Sequence, residues 1–143
     1  MRFKQRGDGR GLDEAILHHR VALPLMPEGH PNRPSSLNNL ANALSRRFQE
    51  RGDGKDLDGA IEHHRVALQL QPPGHPDRSI SLNNLASALS RRFQERGDGK
   101  DLDEAIEHHR VALQLQPPGH PDRSISLNNL ASALWTRFRQ RGD

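Results

Sequence analysis

From residue 79 to residue 96 the apolar side chains Leu82, Leu85, Ala86, Leu89 and Phe93 fall at i, i+3, i+4, i+7 and i+11. That is the spacing of one face of an α-helix. From 101 to 116, Leu102, Ala105, Ile106, Ala112 and Leu113 form a second stripe of the same period, with His109 among them. The first pattern recurs at 35–51 and 124–141, and the second at 12–26 and 56–71. Six helices are therefore predicted, each of about four or five turns. Neither segment has the two-residue alternation of a strand, so the chain reads as all-α.

The punctuation between the stripes agrees. Gly52 and Gly97 follow helix ends, where a left-handed residue is least costly as glycine. Asp56 and Asp101 are expected to be N-caps of the second kind of helix, and Ser79 and Ser124 of the first. Pro72-Pro73-Gly74-His75-Pro76 and its copy at 117–121 cannot continue a helix and force an extended connection.

These helices belong to a longer repeat. Residues 46–90 and 91–135 agree at 43 of 45 positions, the exceptions being Gly59/Glu104 and Ser90/Trp135. Residues 1–45 match the first of these blocks at 31 of 45, and 136–143 opens a fourth unit. One repeat domain over 1–143 is expected, in units 1–45, 46–90, 91–135 and a partial 136–143. A single helical hairpin cannot bury its apolar face, whereas stacked neighbours can, which predicts an α–α superhelix of antiparallel helices with one concave and one convex side. A period that fills the chain leaves no room for a separate catalytic domain.

Composition sharpens this picture. Hydrophobic residues make up only 32% and aromatic residues 3%. Scattered apolar residues at that level would favour disorder, but here they are periodic, so a thin two-layer core is the better account. The absence of cysteine excludes disulfides, thiol catalysis and thiolate metal sites. No apolar run is long enough to cross a bilayer, and residues 1–8 lack the apolar segment of a secretory signal. A soluble cytoplasmic chain with no membrane partner is expected. The formal charge of +3 comes from 21 basic and 18 acidic residues that alternate along the chain. Nucleic-acid binding needs a concentrated basic face, so none is expected, and the small excess gives a preference for acidic protein segments.

The string Asp103-Glu104-Ala105-Ile106, with Ala112-Leu113 and Pro117, resembles the second helix of a tetratricopeptide repeat and its terminal proline. Leu82, Asn84-Leu85-Ala86 and Leu89 resemble the first helix. The family unit has about 34 residues, and the surplus here falls in a longer first helix near 91–96 and a longer loop at 73–78. Gly74-His75-Pro76-Asp77 followed by Ser81-Leu82-Asn83-Asn84-Leu85-Ala86 resembles the longer repeats of kinesin light chain and of fungal multidomain signalling proteins. The resemblance implies a non-enzymatic protein-interaction scaffold, and it implies that the first helix of each unit lines the concave groove.

On that helix the pairs Asn38/Asn39, Asn83/Asn84 and Asn128/Asn129 lie off the leucine stripe. An amide donates and accepts at once, which suits the backbone of an extended peptide. Arg46, Ser87, Arg91 and Ser132 join the same face, with arginine able to grip a carboxylate. The competing account is that one asparagine of each pair bonds to a neighbouring helix and only holds the stack. The chain opens on a second-type helix and closes on a first-type one, and Trp135 and Phe138 add apolar surface to the latter. The alternative function is therefore structural, a head-to-tail homo-oligomer joined through its terminal helices.

Other motifs have simpler explanations. Adjacent histidines such as His63 and His64 point about 100° apart on a helix and cannot chelate one ion, so no metal or cofactor is expected. His64 and His109 stand where the family packs an aromatic side chain, which suggests burial. Arg-Gly-Asp at Arg6, Arg51, Arg96 and Arg141 reads as helix end, glycine stop and turn rather than an adhesion signal. Residues 53–58 lack the ligands of a calcium loop. No nucleophile motif or phosphate loop is present, so catalysis is not expected.

Overall fold

The computed structural model describes residues 9–142. It divides into two compact units, residues 1–70 and 71–143. The first contains α1 (Arg10–Ala22), a short 3-10 turn (Leu23–Leu25), α2 (Arg33–Arg51) and α3 (Gly54–Leu70). The second contains α4 (Arg78–Arg96), α5 (Gly99–Gln114) and α6 (Arg123–Arg141). Among the described residues there is no strand. The fold is all-α, with the six predicted helices in their predicted places.

Helix starts differ from the sequence expectation in an informative way. α3 and α5 begin two residues earlier than expected, because Asp53 and Asp98 do the capping. Lys55 N–H donates to Asp53 Oδ1 and Lys100 N–H to Asp98 Oδ1, both at 3.0 Å. Asp56 and Asp101 are thereby drawn into the first helical turn, where they are buried and are not caps. Ser79 and Ser124 are not caps either, since α4 and α6 start at Arg78 and Arg123 with Asp77 and Asp122 in the cap positions. α1 is shorter than its pattern suggests: Pro24 lacks an N–H, so the α-helix stops at Ala22 and tightens into the 3-10 turn.

A two-residue link joins α2 to α3, and another joins α4 to α5. Gly52 and Gly97 adopt φ of 76° and 74°, and their N–H groups close on the carbonyls of Phe48 and Phe93 at 2.7 Å. A side chain there would be strained, so glycine sets the turn. The hairpins are antiparallel. Arg47 near the end of α2 meets Asp56 at the start of α3, while Asn38 near the start of α2 meets His64 further along α3.

The core is narrow in each unit. Leu37, Leu40, Ala41 and Leu44 of α2 pack with Ile16 of α1, Leu23 of the turn, and Ala60 and Ala67 of α3. In the other unit, Phe93 of α4, Leu102 and Ile106 of α5 and Ala133 of α6 cluster, with Leu130 and Leu134 against them. Alanines let the helices approach closely, which compensates for the scarcity of large apolar residues.

Ion pairs supplement this core at the turn end of each hairpin. Arg47 forms a two-pronged bridge to Asp56, both bonds at 2.9 Å, and Arg92 does the same to Asp101 at 2.9 and 3.0 Å. Arg47 also reaches Asp13 on α1 at 3.1 Å, so one guanidinium ties three helices together. Arg51 bonds Asp13 through both carboxylate oxygens and, being close, holds that carboxyl below the usual carboxylate range. Arg141 and Arg137 act in the same way on Asp103. At the opposite end of the units, Arg33, Arg78 and Arg123 donate to carbonyls where a preceding helix or turn stops, among them Leu23, Gln71 and Gln116 at 2.9, 2.7 and 2.6 Å.

Burial separates these ion pairs by importance. The Asp101 side chain is 8% exposed and that of Asp103 is 48% exposed. Asp101→Ala removes both carboxylate bonds of the part-buried Arg92 guanidinium and is expected to cost about 3 kcal/mol, whereas Asp103→Ala costs under about 1 kcal/mol. Urea denaturation of the two variants checks this, and equal losses would contradict it.

Candidate functional site

The first asparagine of the first two pairs is used inside its hairpin. His64 Nδ1–H donates to Asn38 Oδ1 at 2.8 Å, and His109 Nδ1–H donates to Asn83 Oδ1 at 2.9 Å. The donor must be the histidine, because an amide oxygen only accepts. Asn83 Nδ2 donates in turn to Ser126 Oγ at 2.9 Å. His109, Asn83 and Ser126 thus form a relay across α5, α4 and α6. His64 and His109 are 1% and 2% exposed. Burial, with a smaller contribution from the neighbouring His63 and His108, pushes both imidazoles down to about 4, so they are neutral at pH 7.

Other members of the expected face come together in one cleft of about 270 Å³ between α4, α5 and α6. Ser87 and Arg91 of α4 line one wall with Ser90 and Gln94, and Asn129 and Ser132 of α6 line the other with Thr136. Phe93, Leu102, His109 and Ala133 complete the lining. Pockets that enclose a whole small molecule run from about 300 to 1,000 Å³. This cleft suits one or two side chains of a bound segment better than a cofactor. Arg91 is the charged side chain of the lining, and no carboxylate lines it. Its electrostatic bias is toward acidic groups.

The remaining expected residues lie elsewhere. Asn39 and Asn128 are exposed, Asn84 is half-buried, and none of the three lines this cleft. Arg46 pairs with Glu50 one turn along at 3.2 Å. Trp135 and Phe138 stack on α6 with ring centres 5.6 Å apart, both more than half exposed. Sequence reasoning missed Ser90, Gln94 and Thr136. A signal was available: 87, 90, 91 and 94 are spaced as one helix face, and so are 129, 132, 133 and 136.

The other candidate chemistry has been absorbed by structure. His75 and His120 accept Asp77 N–H and Asp122 N–H at Nδ1, both at 3.0 Å, and His30 accepts Asn32 N–H at 3.1 Å. His108 contacts Glu104 on its own helix at 3.1 Å. No three metal-ligating side chains gather among the described residues. Arg51 and Arg141 of the Arg-Gly-Asp strings are bound to Asp13 and Asp103, and Asp53 and Asp98 cap helices. Arg6 and Asp143 lie outside the described residues. No described helix is long and apolar enough to cross a membrane.

Residues 80–122, from α4 through α5 to the following loop, match the family model of the tetratricopeptide repeat. The same string occurs at 35–77 with three changes, at Ser35, Asn42 and Gly59. No curated protein matches the chain.

The buried imidazoles set a pH dependence. Unfolded histidine titrates near 6.5, while His64 and His109 in the fold titrate near 4. Between those values the unfolded chain binds protons that the folded one does not. Stability is therefore full above pH 6.5 and is lost as pH falls toward 4, by about 3 kcal/mol per histidine. Thermal melts at pH 7.5 and 5.0 are expected to show a lower Tm at pH 5.0, and a His64→Gln/His109→Gln variant to lose most of that difference. A wild-type Tm that does not move would refute the burial account.

Proposed function

We propose that the chain, a member of the tetratricopeptide repeat family, is a protein-interaction scaffold that grips an extended acidic segment of a partner in the cleft between α4 and α6. Repeats of this family are non-enzymatic scaffolds that mediate protein–protein interaction. The observation that carries the finer reading is the convergence of Ser87, Arg91, Asn129 and Ser132 on one cleft.

Each group has a task suited to its chemistry. The Asn129 amide donates to and accepts from the backbone of an extended segment without demanding a particular side chain. Arg91 favours a carboxylate at the neighbouring position, with a charge-assisted bond roughly twice as strong as a neutral one. Ser87 and Ser132 satisfy either sense of hydrogen bond, and Thr136, whose hydroxyl donates to the Ser132 carbonyl, can accept. The small volume and mixed polar and apolar lining account for a weak and adaptable grip rather than a deep anchor.

Asn83 does not belong to this ligand set, because its oxygen and its nitrogen are both engaged within the unit. Asn38 and Asn83 thus hold helices together, while Asn129, a second member of its pair, lines the cleft. The test uses a fluorescent array of acidic and neutral dodecapeptides. Acidic members are expected to bind best. Arg91→Ala is expected to weaken the best of them about tenfold or more, and Asn129→Ala several-fold, with the helical circular dichroism spectrum retained. Binding unaffected by both substitutions would place the ligand elsewhere.

A further inference from the structure

The cleft between α4 and α6 holds more hydrogen-bond donors than a carboxylate can use. Ser87, Ser90 and Gln94 stand on the α4 wall with the guanidinium of Arg91, and Asn129 and Ser132 stand on the α6 wall. The side chains of Ser87, Ser90, Gln94, Asn129 and Ser132 make no hydrogen bond among the described residues. No acidic side chain belongs to the lining.

The α6 wall is a face distinct from the leucine stripe. Asn129, Ser132 and Thr136 are the equivalents, 45 positions on, of Asn84, Ser87 and Arg91. On α4 those three lie off the buried stripe of Leu82, Leu85, Ala86, Leu89 and Phe93. Threonine at 136 stands where the earlier units carry Arg46 and Arg91, and its hydroxyl turns to the Ser132 carbonyl at 2.9 Å. The α6 wall consequently supplies neutral donors, and the α4 wall supplies the charge.

Given the reading of this cleft as the seat of an acidic segment, we propose that the acidic group it receives is a phosphoserine or phosphothreonine side chain of the partner protein. A carboxylate has two oxygens in one plane, so once it meets Arg91 it leaves most of the opposite wall to water. A phosphate monoester has three terminal oxygens and a charge of about −1.5 to −2 at pH 7. Its tetrahedral oxygens diverge, so one can face the guanidinium while the others turn to Ser132 and Asn129 across the cleft. Each of these bonds is charge-assisted and stronger than its neutral counterpart. The cleft volume of about 270 Å³ admits the group together with bridging waters. Arg46, the equivalent of Arg91, pairs with Glu50 in an exposed contact one turn along, and Glu95 stands at the same spacing from Arg91. An exposed pair of that kind is weak and yields to a more highly charged ligand. With one arginine in the lining the grip on phosphate is modest, and the backbone of the segment supplies the rest.

The acidic dodecapeptide that binds best, remade with serine, glutamate or phosphoserine at each acidic position in turn, tests this by fluorescence anisotropy at pH 7.5. At one position the phosphoserine version is expected to bind about tenfold tighter than the glutamate version. Ser87→Ala/Ser132→Ala is expected to abolish most of that preference while glutamate binding stays within about twofold, with the helical circular dichroism spectrum retained. Inorganic phosphate is expected to displace the phosphoserine peptide only at concentrations far above that of the peptide. Equal affinity for the phosphoserine and glutamate versions at every position overturns the phosphate assignment and leaves the acidic-segment reading standing. Absence of binding by every acidic and phosphorylated peptide removes both. Inorganic phosphate that competes as strongly as the phosphopeptide makes this a site for free phosphate, which also overturns the proposal.

Discussion

One buried hydrogen bond per hairpin, from a histidine on the second helix to an asparagine on the first, constrains everything else about this molecule. With 32% hydrophobic residues the chain cannot build its hairpin interfaces from aliphatic side chains alone. It fills part of each interface with an imidazole instead, and a buried imidazole must be neutral and must place its N–H. Asn38 and Asn83 meet that requirement. The bond also fixes register, since a slip of α5 along α4 would strand both polar groups away from water. In the second unit the relay continues to Ser126, so the same asparagine that orders one hairpin positions the next helix.

The arginine–aspartate bridges serve the same architecture from the turn end. Arg47 and Arg92 span the short link of each hairpin, while the histidine–asparagine bond holds the far half. With both ends fixed by polar contacts of defined geometry, small alanines suffice between them. One side of α4 and of α6 faces a cleft. There the serines, Arg91 and Asn129 border a cleft rather than a core. A polar cleft and a thin core are thus two consequences of one composition.

The helices, their period and the glycine turns were legible because they depend on local rules: spacing, chain breakers and left-handed conformations. The burial of His64 and His109 was legible from the position they share with an aromatic in the family. The role of Asp56 and Asp101 was not. An aspartate ahead of an apolar stripe looks like a cap, and the true caps, Asp53 and Asp98, stand only three residues earlier in Asp-Gly-Lys-Asp. What distinguishes them is a guanidinium brought from another helix, which no local window contains. The same limit applies to the asparagine pairs. Two adjacent amides have identical chemistry in sequence, and only the packing of α4 against α5 and α6 decides that Asn83 turns inward. Ser90, Gln94 and Thr136 were overlooked because serine, glutamine and threonine carry no chemistry that marks them until a cleft gathers them.

The division of labour within the asparagine pairs is the central claim, and comparing Asn83→Ala with Asn129→Ala in urea denaturation tests it most directly. Removing Asn83 leaves the His109 N–H and the Ser126 hydroxyl without their partner, so a loss of about 2 kcal/mol is expected, while Asn129→Ala stays within about 0.5 kcal/mol of the parent. Equal losses in the two variants, or a larger loss for Asn129→Ala, would contradict the account.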